Sequence, residues 1–346
     1  MNKNTIIGFV LMAAVLFGYS WYVQPSEEEI AAQRKQDSIE NALRQKAETA
    51  QKNELNAKKQ QAEAAAKGDT TALFYQALNG KNEQLTLKNS KLQLTVNSHG
   101  GYVSGAKIMG FKDIKGDNDL TLFAGNEQKL NFMLAGKQTN IVTADLFFTP
   151  SNHTDSTLTL TAEAANGGQL VINYRLGQNY LVNMQVQAKG LDGIFAPNYN
   201  KVDIEWEGLC RQQEKGFTFE NRYATLTYKE KNDDSDYINE TEKVTDEPME
   251  FAIDWLAFKD QFFSSVLIPK GDIAPNSQLS SIPQEKGSGY LKQYIAKFKT
   301  DFDPTGAVPT ELEMYFGPND FQVLKDVDDE CSFDKDLDMQ QLVYLG

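Results

Sequence analysis

Few residues in this chain are equipped for turnover chemistry. The 346-residue sequence holds two histidines, His99 in NSHGG and His153 in SNHTD. Both sit among turn-forming residues, and neither has a histidine or cysteine partner at metal-ligand spacing. Cys210 and Cys331, the only cysteines, lie far apart in sequence. They could bridge in an oxidising compartment or stay as two thiols. No G-x-S-x-G elbow, H-E-x-x-H helix, phosphate loop or dinucleotide fingerprint is present. Asp233, Asp234 and Asp236 crowd together in KNDDSDY, but no glycine or distal glutamate completes a calcium loop. Asn152-His-Thr154 and Asn239-Glu-Thr241 fit the glycosylation triplet, a pattern frequent by chance. Carboxylates paired for glycoside hydrolysis would depend on the fold to bring them together. The expectation is a non-enzyme with no cofactor and no metal.

The most distinctive local sequence is FAIDWLAFKDQFFSSVLIP, Phe251 to Pro269. Trp255, Phe258, Phe262 and Phe263 make it aromatic well above the chain average. On physical grounds it reads as a core strand, a turn at Lys259-Asp260 and a second core strand. The functional alternative is a groove in which those four rings meet a partner or ligand.

The elements that must position such a site begin at the N-terminus. Asn4 to Ser26 carries no charge, and Thr5 to Val23 is almost wholly apolar. A helix of that length spans nearly the hydrocarbon thickness of a bilayer, roughly 30 Å. Lys3 precedes the run and Glu27, Glu28 and Glu29 follow it, which places the rest of the chain outside the cytoplasm. A cleavable signal peptide is the alternative. The run exceeds a signal's apolar core, and GYSWYVQP is a poor cleavage site, so an uncleaved anchor over residues 1–26 is expected. Residues 27–70 are rich in Ala, Gln, Lys and Glu without a sustained apolar stripe, the composition of a helical or disordered tether.

Beyond the tether the pattern switches to period two. Leu85-Thr-Leu87 and Leu92-Gln-Leu94-Thr-Val96 flank the turn Lys88-Asn89-Ser90-Lys91 as a hairpin. Leu170 to Leu176 and Tyr180 to Ala188 form a second, with Asn183, Gln185 and Gln187 on the wet face. Further strands are expected near Leu120–Phe123, Leu130–Leu134, Ile141–Phe148, Leu158–Thr161, Val202–Trp206, Tyr223–Tyr228, Tyr290–Lys299 and Thr310–Tyr315. So many short strands, with almost no helical period between them, predict a mainly β fold: a large antiparallel β-sandwich of two long sheets over residues 71–316. Residues 317–346 read as a helical segment. Gly-Pro-Asn-Asp opens one helix, and Leu337 to Leu345 looks like the start of another that stops on an apolar flank, as a truncated chain would. Net charge is −14 and mean hydropathy −0.49. That balance excludes a nucleic-acid partner and argues against a second membrane span.

Several of these stretches together resemble one family, the bacterial membrane insertase YidC. MNKNTIIGFVLMAAVLFGYSW is similar to its signal-anchor, and KLQLTVNSHGGYVSGAKI to the strand opening its extracytoplasmic domain. DWLAFKDQFFSSVLIP resembles the family's tryptophan-to-proline segment, and YFGPNDFQVL its Gly-Pro segment. FDKDLDMQQLVYLG resembles the lead into its interfacial helix. The tether and loops look like the Bacteroidetes branch.

The resemblance implies a supersandwich akin to sugar-mutarotase folds, held at the bacterial inner membrane with its bulk in the periplasm. It also implies insertion and folding of nascent membrane proteins beside the Sec translocon and SecDF, in contact with inner-membrane lipid. The family's later bundle of five membrane helices, with its functional arginine, has no counterpart here, so no active-site residue is carried over. The alternatives are a membrane-tethered sandwich binding carbohydrate or peptide, and a mutarotase-like epimerase. The latter needs an acid and a base facing each other across a groove.

Overall fold

The structure, a computed structural model, describes residues 72–196, 198–238 and 244–343. The anchor and the whole of the tether expected from the sequence lie outside these residues. Among the described residues no helix is long and apolar enough to cross a membrane.

A short helix, α1 (Tyr75–Leu78), leads into the expected first hairpin, β1 (Gln84–Lys88) with β2 (Leu92–Asn97). Leu85 and Leu87 lie opposite Val96 and Leu94, so one face of the pair is apolar and buried. The Asn89 side chain closes the turn, its Oδ1 accepting from the N–H groups of Lys91 and Leu92 at 2.7 Å each. Gly100 and Gly101 then reverse the chain at φ of 85° and 67°, conformations that glycine adopts without a steric penalty. β3 (Val103–Lys112) and β4 (Asp119–Phe123) complete a four-stranded meander.

The strands that follow are β5 (Gln128–Leu134), β6 (Ile141–Val142), β7 (Thr149–Ser151), β8 (Thr157–Glu163), β9 (Gln169–Leu176), β10 (Leu181–Lys189) and β11 (Lys201–Arg211). Helix α2 (Phe217–Tyr223) intervenes. Then come β12 (Thr225–Glu230), β13 (Ser235–Tyr237), β14 (Thr245–Met249), β15 (Ile253–Lys259), β16 (Phe263–Pro269), β17 (Ser277–Pro283), β18 (Tyr290–Asp301) and β19 (Thr310–Pro318). They form a six-stranded sheet, β14-β17-β18-β11-β5-β6, and a nine-stranded sheet, β13-β12-β15-β16-β19-β10-β9-β8-β7. The sequence led us to expect two long sheets. The structure has three, because β3 and β4 pair with each other and leave the six-stranded sheet as a separate ladder.

The smaller sheets face the large one across a single apolar core. Trp206 on β11 stacks on Phe258 of β15, centroids 3.7 Å apart and planes 12° off parallel. Gly208 makes that stack possible, since a Cβ there would lie 2.6 Å from the Phe258 ring. Phe123 on β4 meets Phe316 on β19 edge to face. The mainly β, antiparallel sandwich read from the sequence is therefore what the chain forms.

The C-terminal segment departs from expectation in one respect. Helix α3 (Phe321–Glu330) starts where Gly-Pro-Asn-Asp predicts, N-capped by Asp320, whose Oδ1 accepts from Val323 N–H at 3.0 Å. Among the described residues no second helix follows at Leu337. The chain stays extended, passes Asp338 at φ 48°, and makes only a 3-10 turn at Met339–Leu342. Leu337, Met339 and Leu342 are buried against the sheet, so their apolar spacing serves packing across strands and not a helical stripe.

Candidate functional site

The aromatic segment Phe251–Pro269 becomes the β15–β16 hairpin, and all seven residues of each strand are buried. Strand alternation sends its rings in opposite directions. Phe258 and Phe263 point inward: Phe258 joins the Trp206 stack, and Phe263 meets Phe111 edge to face at 5.2 Å. Both border a cavity of about 20 Å³ that Cys210 and Asp260 also line. Trp255 points outward, yet is fully buried. Phe262 sits on the turn and is 46% exposed. The structure brings Phe258 and Phe263 together, sets Trp255 on the other face, and leaves Phe262 alone at the tip. Asp260 fixes that tip, its Oδ1 accepting from the N–H groups of Phe262 and Phe263 at 2.7 and 2.6 Å. Burial pushes the Asp260 carboxyl up to about 7, against the two backbone hydrogen bonds that favour its charged form.

What buries Trp255 is the segment after α3. The Trp255 indole Nε1–H donates to the Leu337 carbonyl at 2.7 Å. Lys335, 9% exposed at its side chain, lies 3.3 Å from Asp254 Oδ1 and donates to the Gly271 carbonyl at 2.9 Å. Burial pulls the Lys335 ammonium below the usual lysine value, while Asp254 and Asp272 oppose the change. Asp328 ties the segment to its own helix by accepting from Met339 N–H at 3.1 and 3.2 Å. Burial pushes the Asp328 carboxyl up to about 6.

This cover reaches only half of the large sheet's outer face. Over β8, β9, β10 and the near side of β19 the face is open, a groove of about 640 Å³. Strand register sorts its side chains into two rows. Thr159, Asn173, Gln185 and Glu311 form one row across the four strands. That row is satisfied internally: Thr159 donates to Asn173 at 2.9 Å, Gln185 to Glu311 at 3.1 Å, and Lys270 to Glu311 at 2.6 Å. Burial alone would raise the Glu311 carboxyl, but the bonds from Lys270 and Gln185 hold it below the usual range. Thr157, Arg175, Asn183 and Glu313 form the second row. Glu313 ends it beneath the edge of the cover, where its Oε1 accepts from Ser332 N–H and Oγ–H.

The other candidates have structural surroundings. His153 Nε2 lies 2.9 Å from the Thr86 carbonyl oxygen, and His99 stacks on Phe147 at 4.1 Å. Among the described residues no cluster of three metal-ligating side chains occurs. No disulfide joins Cys210 to Cys331. Burial pushes the Cys331 thiol up to about 12, which makes it a poor nucleophile. Glu313 and Lys335 were not singled out by sequence, because each acquires its surroundings from strands distant along the chain.

Comparison with known proteins completes the description. The family model of the YidC periplasmic domain matches residues 84–343. The chain is 43% identical, over its whole length, to the membrane protein insertase YidC of Phocaeicola vulgatus and 38% identical to that of Bacteroides fragilis. It spans 55% of the length of each of these relatives. Likenesses to solved structures are distant. A galactose mutarotase related enzyme from Lactobacillus acidophilus matches at TM-score 0.42 and 12% identity, over 68% of this chain and 97% of that one. The periplasmic domain of Thermotoga maritima YidC matches at 0.31 and 10%, over 72% and 89%. Neither structural likeness carries an argument about activity, whereas the sequence match runs through the entire sandwich and its cover: the chain belongs to the YidC periplasmic domain family.

Proposed function

We propose that this chain is the anchor and extracytoplasmic domain of a membrane protein insertase of the YidC type. In this reading residues 1–26 hold it in the inner membrane, residues 27–70 form the tether, and the sandwich stands in the periplasm. The observation that carries the reading is the family match over residues 84–343, together with full-length identity to proteins named as insertases. The Sec translocon, SecDF, inner-membrane lipid and nascent membrane proteins are its proposed partners. Phe262, exposed at the tip of the β15–β16 hairpin, is a proposed contact point for one of them. Membrane insertion by such a protein is not turnover chemistry, and no catalytic residue is assigned.

The test uses cells depleted of their own insertase. A complete reading frame that carries this chain is expected to restore insertion of a single-span reporter, and cross-linking from Phe262 should capture a translocon component. Failure to restore insertion would count against the reading. A second reading, a tethered sandwich that binds carbohydrate or peptide, is favoured by one observation only, the open polar groove.

A further inference from the structure

We propose that the open half of the nine-stranded sheet is a docking surface for an extended peptide segment, with one acidic side chain of that segment seated on Arg175. This docking role is independent of the insertase reading, which is tested in cells and can stand or fall without it. The carboxylates that border the groove are engaged by the chain itself. Glu311 accepts from Lys270 and Gln185, Glu313 from Ser332 with its other oxygen shielded from solvent, and Glu330 from Asn179. The strongest donor on the border is not engaged. Arg175 lines the groove, is exposed, and forms no hydrogen bond or ion pair with any described residue. The side-chain amide of Asn183 is equally without a partner among the described residues. Asn173 Oδ1 accepts from Thr159, while its Nδ2 donates to no described residue.

Strand register brings these donors together. Arg175 on β9 lies opposite Asn183 on β10 and Thr157 on β8, and Asn173 precedes it by two residues on the same face. Strands are about 4.8 Å apart and alternate residues about 6.6 Å, so a group resting on Arg175 also comes within reach of both asparagine amides. A cluster of N–H groups takes an acceptor. A guanidinium takes a planar, charged one best, because its fork matches the two oxygens of a carboxylate. Glu313 lies two strands from Arg175, about 10 Å away, where salt screens its charge. The shape of the face indicates what carries the carboxylate. A small-molecule site encloses most of its ligand, whereas this groove of about 640 Å³ lies open across four strands. That surface suits a chain laid over the sheet. Gln185 lines the groove as well, and its Oε1 has no donor among the described residues, which leaves an acceptor for a peptide N–H.

The test is titration calorimetry of the full chain in non-ionic detergent, with a short acetylated and amidated Gly-Ser peptide that carries a central glutamate. The same peptide with glutamine in its place, and capped glutamate without flanking residues, are titrated alongside. The glutamate peptide is expected to bind, with affinities about tenfold lower for each of the other two. Arg175 is exposed, so its replacement leaves the fold intact. Arg175→Gln should bring the glutamate peptide down to the level of the glutamine peptide, while Arg175→Lys keeps part of the preference. Asn183→Ala is expected to weaken binding about threefold. Glu330→Gln, which removes a negative charge from the groove's border, should tighten it about twofold. Lys297→Gln, on the six-stranded sheet, should change nothing. No binding of the glutamate peptide by the wild type at millimolar concentration would overturn the proposal. So would equal affinity for the glutamine peptide or for capped glutamate alone, or affinity indifferent to Arg175→Gln.

Discussion

The two halves of the large sheet's outer face differ in almost every respect. Over β8 to β10 the outward side chains that line the groove are Thr157, Thr159, Asn173, Arg175, Asn183 and Gln185, all polar. Over β15 and β16 every residue is buried, outward or inward. The backbone is the same antiparallel ladder throughout. What changes is the cover: residues after α3 lie across β15 and turn their apolar side chains onto it. A strand's alternation thus reports how many of its faces are covered. The run DWLAFK is apolar in both phases because two layers meet it, not because it opens a groove.

That contrast can be broken most forcefully at Trp255. Trp255→Ala removes the largest side chain beneath the cover and its bond to Leu337, and should destabilise the fold by about 3–5 kcal/mol in urea unfolding. Lys335→Met comes next. It leaves Asp254, 7% exposed, without its cation, at a cost of about 3 kcal/mol. Adding Asp254→Asn to that variant should recover part of the loss.

The halves should also respond to pH with opposite sign. The folded Asp328 carboxyl, pushed to about 6 from 3.8, contributes stability that is present below about pH 4 and lost as pH rises through about 6. Glu311, held below its ordinary 4.5, contributes stability that is present above that value and lost as pH falls. Asp328→Asn should remove a decline on the order of 1 kcal/mol between pH 4 and pH 7, measured by urea unfolding at several pH values. Asn183→Ala, on the open half, is expected to change stability by less than about 0.5 kcal/mol.

Much of this architecture was legible in the sequence because it is local. Leu85-Thr-Leu87 and Leu92-Gln-Leu94, separated by a turn with an asparagine, form the first hairpin as read. Tyr180 to Ala188 gave β10 with its wet face correctly assigned. Helix α2 was missed, and Tyr223, its last residue, was read as the start of a strand. Strands β14 and β17 were missed too, since TDEPM and SQLSSIP lack strong alternation and owe their pairing to β18. The groove was invisible for a different reason. Glu313 is one glutamate in TELEMYF until β10 places Asn183 beside it and Ser332 caps it from above. Lys335 pairs with Asp254, 81 residues earlier in the chain, and no local pattern encodes that.

The central claim, one face half covered by the chain's own C-terminal segment and half open, has a direct measurement. In a background with Cys210 and Cys331 replaced by alanine, single cysteines are placed at Asn183 and at Ala257, two positions on the same face of the same sheet. Alkylation should modify the thiol at 183 at a rate near that of an accessible cysteine, and the thiol at 257 only as fast as the protein unfolds. Comparable rates at the two positions would contradict the account.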